Sequence, residues 1–216
     1  MPPKVFAACG LFLAAASGVP FASSAPLPVV YADVLVGAGH EGRPQSCQRF
    51  PQHKCNLGTA GERKLTAEVA DEATRILRAA GVAVVRLPAD FAGSYAVKDA
   101  VFIHFDGDVT PCGSGASIGY HRASDTAAAD TWRTLYGKYW TFRFHPDNFT
   151  DNLRNYYAFR QVHASDAALV LELGELTCPP QKAWLERRIK WEGALIAHFL
   201  SLRSGEGNIP EPSMLR

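Results

Sequence analysis

Short apolar runs of strand length alternate along this chain of 216 residues with segments that have helical periodicity. The run Ala167–Leu173 is almost continuously apolar, which is typical of a strand buried on both faces of a parallel sheet. The other runs are shorter and end at polar residues, glycine or proline. We predict a first strand that begins at Val30 or Val34 and ends at Val36, followed by strands over 82–87, 100–103, 117–120 and 167–173.

Three of the intervening segments carry apolar residues at the spacing of an amphipathic helix. In the first of them, Leu65, Val69 and Ile76 recur on one face, and Gly81 follows the last turn. We predict helices over 63–80, 124–135 and 180–202. Because strands alternate with helices, the expected fold class is α/β: a single domain over residues 29–203 with a mainly parallel central sheet and helices on both faces. Residues 204–216 are expected to form a flexible C-terminal tail.

Two further segments stand out by composition. Residues 41–61 form a long polar connection rich in Gly, Pro and Gln, and connections of that length are usually functional. Residues 136–160 are dense in aromatic side chains. These aromatics allow two interpretations, a second packing layer over the sheet or the wall of a groove on which sugar rings stack.

The first 25 residues have the pattern of a secretory signal peptide. Lys4 is a short basic region, residues 5–16 are apolar but too few to span a bilayer, and residues 23–25 are small. We therefore expect an exported protein, periplasmic or extracellular, without stable membrane insertion. Two alternatives stay open: an uncleaved N-terminal anchor, and lipidation at Cys9, which follows a faint lipoprotein-like pattern.

Export places the remaining cysteines in an oxidising compartment. Cys47, Cys55, Cys112 and Cys178 allow three pairings. We expect Cys47–Cys55, which closes a short loop, and by elimination Cys112–Cys178. A zinc site of four thiolates would require close Cys-x-x-Cys spacings, and the sequence has none.

The charge composition argues against nucleic acid as a partner. The formal net charge is +1, and because Lys4 is the only charged residue in the first 25, removing that segment leaves 21 basic and 21 acidic residues. Nucleic-acid binding requires a clustered positive surface. A neutral or mixed-charge substrate fits this composition better.

Four polar residues lie where an α/β fold collects its ligands. His40, His104 and Glu172 each come at the end of a predicted strand, and Glu62 precedes the first long helix. Two imidazoles and a carboxylate form a catalytic Zn²⁺ site with an open position, and a second carboxylate can act as general base on a water there. Each residue also has a structural interpretation: the histidines could lie in the core, and Glu62 could favour the helix dipole.

The order of these segments resembles the zinc-dependent N-acetylmuramoyl-L-alanine amidases over roughly residues 32–202. The segments that carry the resemblance are Val-Leu-Val-Gly-Ala-Gly-His at 34–40, Gly-Glu-Arg-Lys-Leu-Thr at 61–66, Phe-Ile-His-Phe-Asp-Gly at 102–107, Gly-Ala-Ser-Ile-Gly-Tyr at 115–120 and Leu-Val-Leu-Glu-Leu-Gly at 169–174. The resemblance implies that His40, Glu62 and His104 bind zinc and that Glu172 is catalytic. It further implies peptidoglycan as the substrate, cleaved at the amide between N-acetylmuramic acid and L-alanine.

The chain also departs from that pattern. Gly37, Ala38 and Glu41 replace residues of the usual Asp-Pro-Gly-His-Gly-Gly motif, Asp106 stands where Asn is common, and Glu175 follows Gly174 in place of Phe. The segment with Cys47 and Cys55 resembles an insertion. A zinc peptidase acting on another exported amide and an inactive peptidoglycan-binding relative therefore remain alternative functions, and the oligomeric state is not predicted.

Four neighbouring polar residues are weaker candidates. Asp106 and Glu175 could support the site or lie in solvated loops, and His121 and Arg122 could touch the substrate, since they follow the strand predicted at 117–120.

Overall fold

The computed structural model describes residues 28–43 and 56–214. The expected signal peptide and the expected Cys47–Cys55 bridge lie outside these residues. The strands are β1 (Val29–Tyr31), β2 (Val34–Ala38), β3 (Val84–Leu87), β4 (Ser94–Asp106), β5 (Ser117–Gly119) and β6 (Val162–Glu175). The helices are α1 (Glu62–Ala79), α2 (Thr126–Gly137), α3 (Asp151–Arg154), α4 (Pro179–Glu186) and α5 (Ile189–Ser204), with 3-10 turns at Ala123–Asp125 and Tyr157–Arg160.

The strands form one mainly parallel sheet in the order β3-β2-β4-β6-β5, and β1 pairs with the first residues of β4. All pairs are parallel except β5, which runs antiparallel to β6. This confirms the predicted α/β class. Because β2, β4 and β6 are parallel neighbours, their carboxyl ends meet at one edge of the sheet.

The central strands are longer than predicted. β4 has 13 residues and β6 has 14, and both begin well before their apolar runs. Their first halves contain polar residues such as Asp99 and His163, yet these halves pair with each other in the sheet. The backbone ladder thus extends past the apolar pattern, which marks only the portion buried on both faces.

The predicted final helix over 180–202 is two helices. α4 ends at Glu186 and α5 begins at Ile189, and the backbone of Arg188 between them is not helical. Leu185 and Ile189 are nevertheless both buried. The apolar spacing continues across the break, so periodicity alone could not reveal it.

Helices cover both faces of the sheet, as predicted, but unequally. α1, α2, α4 and α5 pack on one face, whereas α3 and the turn at Tyr157–Arg160 pack on the other. The first face buries the strand residues Val34, Val36, Val101, Ile103, Leu169 and Leu171. Phe102 and Val170 point to the second face. Since side chains alternate along a strand, His104 and Glu172 also point to that second, thinly covered face.

The aromatic segment divides between the two interpretations given above. Tyr136 and Trp140 of this segment stack in series with the preceding Trp132 inside the first-face core, with ring centroids 5.2 and 5.7 Å apart. The packing interpretation therefore holds for this part. Tyr156 and Tyr157, in contrast, lie on the second face near the site described below.

The expected disulfide between Cys112 and Cys178 is present and joins the loop after β4 to the start of α4. Residues 205–214, within the segment expected to form a flexible tail, are mostly exposed but contact the domain at several points. Ile209 is buried and its carbonyl lies 2.7 Å from His198 Nδ1, and Glu211 pairs with Lys138. Within the described residues, no helix combines the length and the apolarity that a bilayer crossing requires.

Candidate metal centre

Three of the predicted residues meet at the carboxyl edge of the sheet. Glu62 Oε1 lies 3.2 Å from His40 Nε2 and 3.1 Å from His104 Nδ1. The exposed fractions are 7% for His40, 3% for Glu62 and 6% for His104. One donor atom from each lies within 4.8 Å of the other two, a spacing that allows all three to hold one metal ion. The structure thus brings together side chains from a stretch of sequence in which His40 and His104 are 64 positions apart.

The turn after β2 delivers His40 to this point. Gly39 N donates to Ile103 O at 2.8 Å, which continues the pairing between β2 and β4 by one residue. A Cβ atom on Gly39 would overlap the His104 ring. The glycine is therefore required by the close approach of this turn to the second histidine.

Glu62 is the first residue of α1, and two backbone amides hold its carboxylate in place. Thr59 N donates to its Oε2 at 2.9 Å, and Phe105 N donates to its Oε1 at 3.2 Å. Gly58 has a φ of +74°, and a Cβ atom there would overlap the Glu62 carboxylate. The carboxylate therefore has little freedom to turn away from the two histidines.

The outer nitrogen of each imidazole is also occupied. His40 Nδ1 lies 2.7 Å from Asn56 O, and His104 Nε2 lies 3.0 Å from the Tyr156 hydroxyl. These contacts leave His40 Nε2 and His104 Nδ1 facing Glu62. Partners of this kind fix the orientation and tautomer of metal-binding histidines. Tyr156 was not predicted as a site residue, since only the aromatic density of its segment distinguishes it in the sequence.

The protonation states fit a divalent metal. Burial alone would raise the pKa of Glu62, but the close contacts with His104 and His40 outweigh it and hold that pKa at about 2. Burial lowers the pKa of His104. An anionic carboxylate beside a neutral imidazole is the state in which these side chains bind metal. Two nitrogens and one carboxylate oxygen match the donor set of a catalytic zinc site.

Glu172 lies on the next strand, directly in register with His104. Its Oε2 is enclosed and has no hydrogen-bond partner among the described residues. Burial raises the pKa of Glu172 well above its ordinary value, and the nearby carboxylates of Glu62 and Asp106 raise it further. An enclosed carboxyl group beside the three-residue cluster is placed to take up and return a proton.

An open groove of about 970 Å³ runs past these residues. Its walls come from the loop after β3, the turn after β2, the ends of β4 and β6, and the segment from α3 to Tyr157. Six of the lining residues besides the metal cluster are Arg43, Phe91, Asp106, Asp108, Tyr157 and Glu172. The arrangement is therefore a polar site with space for an extended substrate.

The weaker candidates divide into two groups. Asp106 lines the groove and accepts a hydrogen bond from the Ser114 hydroxyl. Glu175 is fully buried and accepts from Cys112 N and Ser114 N, each at 2.8 Å, so it holds the loop after β4 in place. His121 and Arg122 do not line the groove, and Arg122 is paired with Asp125 instead.

Among the comparisons with known proteins, only the comparison with solved structures finds similar proteins. No protein-family model matches the chain, and the search of curated proteins finds no match. Among solved structures, the catalytic domain of CwlV, an N-acetylmuramoyl-L-alanine amidase from Bacillus (Paenibacillus) polymyxa var. colistinus, is similar with a TM-score of 0.53 and 15% identity, covering 79% of this chain and 97% of that chain.

Two further structures show the same likeness. The N-acetylmuramyl-L-alanine amidase Ami1 from Mycobacterium smegmatis has a TM-score of 0.55 and 17% identity, covering 84% of this chain and 99% of that one. The catalytic domain of the CD27L endolysin targeting Clostridia difficile has a TM-score of 0.58 and 12% identity, covering 80% and 98%. At these identities the likeness establishes the fold, and the chain has the fold of N-acetylmuramoyl-L-alanine amidase catalytic domains.

Proposed function

We propose that this protein is an exported, zinc-dependent hydrolase that cleaves the amide between N-acetylmuramic acid and L-alanine in peptidoglycan. The observation that carries the proposal is the meeting of His40, Glu62 and His104 at one point, with Glu172 in register on the adjacent strand. The shared fold supports the same conclusion, because solved structures with this fold are named as amidases of this bond.

His40 Nε2, His104 Nδ1 and Glu62 Oε1 are the atoms that would hold the zinc ion. When bound in such a site, zinc polarises the scissile carbonyl and lowers the pKa of a water molecule. The chain's own contribution is to fix the three donors through Asn56, Thr59 and Tyr156 before any metal arrives.

Glu172 supplies the proton transfers. Its carboxylate takes a proton from the attacking water and returns it to the amine that leaves, so the C–N bond breaks without releasing an unprotonated amide anion. The enclosed position of Glu172 raises its pKa above the ordinary value of a carboxyl group, which favours its return of the proton. The groove keeps the substrate on the same thinly covered face of the sheet.

Export and the substrate rest on further observations. The signal-like N-terminus and the disulfide between Cys112 and Cys178 both favour an oxidising compartment, where peptidoglycan is also found. The departures at Gly37 and Ala38 leave the donors in place, since both residues lie in β2 and the donor set forms beyond its end. The inactive-relative alternative therefore has no support from the geometry of the cluster.

The test is to incubate the zinc-loaded protein, without residues 1–25, with purified peptidoglycan and to identify released fragments by mass. We expect free stem peptides that begin with L-alanine. Glu172→Gln should keep its zinc and lose at least about a hundredfold in rate, the lower end of the range for removing a general base. His104→Ala should lose both zinc and activity.

Glu186→Gln is the matched control, because Glu186 is exposed on α4 and lies outside the groove. Fragments in which the sugar stays attached to an amino acid would instead indicate a peptidase. Binding to insoluble peptidoglycan without release of any fragment would contradict the catalytic proposal.

A further inference from the structure

Arg43 is the one cationic side chain among the groove-lining residues that the structure describes. It follows the turn that delivers His40, and its guanidinium carbon lies 5.5 Å from the centre of the Tyr157 ring. Its Nη1 donates to Asn56 O at 2.5 Å, the same carbonyl that His40 Nδ1 contacts. Arg43 is therefore anchored by one nitrogen beside the metal cluster, and its Nε and Nη2 have no partner in the described part of the chain.

No carboxylate neutralises this arginine within the described residues. Glu41, two residues earlier, is paired with Arg86 at 2.7 Å, and Asp90, which lines the same part of the groove, forms no ion pair with Arg43. The adjoining sequence 44–55 contains Arg and Lys but neither Asp nor Glu. An unpaired guanidinium with two free donor positions is suited to bind an anion in a bidentate manner.

The charges of the groove are arranged along the edge of the sheet. Arg43 lies at the end of β2, whereas Asp106 and Asp108 lie at the end of β4, one strand further toward β6. The metal cluster lies between these two sides because it draws on the ends of both strands. A substrate bound across the cluster therefore meets a cation on the β2 side and carboxylates on the β4 side.

We propose that Arg43 binds a carboxylate of the substrate's peptide portion and makes the enzyme prefer acidic over amidated stem peptides. This inference rests on the proposed function, since it names the part of that substrate which the β2 side of the groove holds. A carboxylate accepts both free donors of the guanidinium, whereas a carboxamide offers one neutral acceptor and a donor that faces the cation. Recognition therefore depends on the charge of the peptide and not on its size.

Two glycopeptides test this inference: N-acetylmuramoyl-L-alanyl-D-glutamate and the same compound with both side-chain and main-chain carboxylates converted to carboxamides. We expect the zinc-loaded protein to cleave the acidic compound with a kcat/KM about tenfold higher, the factor expected from one charge-assisted hydrogen bond at the lower end of its range. Arg43→Gln should bring that ratio close to one, mainly by raising KM for the acidic compound. The ratio is the readout, because a disturbed metal centre would lower both rates together.

Arg160→Gln is the matched control. Arg160 is exposed in the turn after Tyr157 and lies outside the groove, so its variant removes one positive charge nearby and should keep the tenfold ratio. A ratio near one in the wild type, or a tenfold ratio that persists in Arg43→Gln, overturns the inference.

Binding measurements separate this inference from the proposed function. Calorimetry with zinc-loaded Glu172→Gln, with and without Arg43→Gln, gives the Kd of both compounds without hydrolysis. If the wild type cleaves neither compound, the proposed function is contradicted, but a preference in Kd that disappears with Arg43 still supports the carboxylate site. Equal Kd values for both compounds in Glu172→Gln overturn it.

Discussion

The side chain of Tyr156 illustrates how a single residue can support the metal centre without touching a metal. Its hydroxyl contacts His104 Nε2 at 3.0 Å, and its ring packs against Phe102 with a centroid distance of 5.1 Å. Burial raises its pKa well above the ordinary value, so the phenol stays neutral and can accept from the imidazole. Tyr156 is therefore a positioning residue: it keeps His104 Nδ1 directed at Glu62.

We expect Tyr156→Phe to weaken zinc binding by about tenfold or more, because such supporting partners contribute about 10- to 100-fold to metal affinity. Competition with a chromophoric chelator measures the affinity. Tyr157→Phe is the control, since the Tyr157 hydroxyl donates to Ala89 O and contacts no ligand. Equal zinc affinities of the wild type and Tyr156→Phe would show that packing alone orients His104.

The positions of the four main candidates could be predicted at the level of single residues, because each lies at the end of an apolar strand run or at the start of a helix. His40, His104 and Glu172 follow apolar strand runs, and Glu62 lies at a helix start. Tyr156 could not be found in this way. Its contact with His104 spans 52 residues, and it arrives from a segment of short turns that has no periodicity.

The elements differ in how far their sequences reveal them. α1 was predicted within one residue at each end, because its face toward the sheet is regularly apolar and Gly81 follows it. The beginnings of β4 and β6 were missed, since polar residues there are held by strand pairing and not by burial on both faces. The break between α4 and α5 was missed for the opposite reason, because buried residues continue across it.

The loop between β4 and β5 forms one wall of the groove and depends on several ties to β6 and α4. Glu175 accepts from two of its backbone amides, and Gln181 Nε2 donates to Ser114 O at 3.1 Å. The disulfide between Cys112 and Cys178 adds a covalent link across 66 residues. This wall of the groove is therefore fixed relative to the strand that carries Glu172.

We expect the double variant Cys112→Ser/Cys178→Ser to lower the free energy of unfolding by about 2–4 kcal/mol, because opening a loop of this length increases the entropy of the unfolded chain. Urea unfolding followed by fluorescence measures the change. The wild type with its disulfides reduced should approach the same stability. If the double variant is as stable as the oxidised wild type, the hydrogen bonds of Glu175 and Gln181 are sufficient to hold the loop.

At the scale of the whole molecule, the larger hydrophobic core and the candidate site lie on opposite faces of the sheet. The four long helices pack on one face, and the site lies at the edge of the other, under α3 and the turn at Tyr157–Arg160. The sequence predicted helices on both faces but not their unequal distribution between the faces. Periodicity shows that a helix has an apolar face, but it does not show which side of the sheet that helix covers. The division leaves the groove open while the core remains closed.

The core between the sheet and the four long helices contains a titratable group that should make the stability of the whole domain depend on pH. Glu192 on α5 is fully buried and its Oε1 accepts from the Tyr136 hydroxyl at 3.3 Å, while its Oε2 has no partner among the described residues. Burial raises the pKa of Glu192 well above its ordinary value, although Tyr136 and Arg188 act in the opposite direction. The native state therefore keeps a proton that the unfolded chain releases near its ordinary pKa.

Since the native state binds more protons in this range, stability attributable to Glu192 falls as pH rises from about 4.5 toward the raised pKa, by up to about 1.4 kcal/mol per pH unit. Glu192→Gln keeps the shape of the side chain and removes the titration. We expect the variant to gain stability relative to the wild type between pH 5 and pH 8, as measured by urea unfolding at each pH, and to differ little below the ordinary pKa. Glu186→Gln, on the exposed side of α4, should show no such gain. A difference between Glu192→Gln and the wild type that stays constant with pH would mean that Glu192 remains ionised in the folded core, compensated by Arg188.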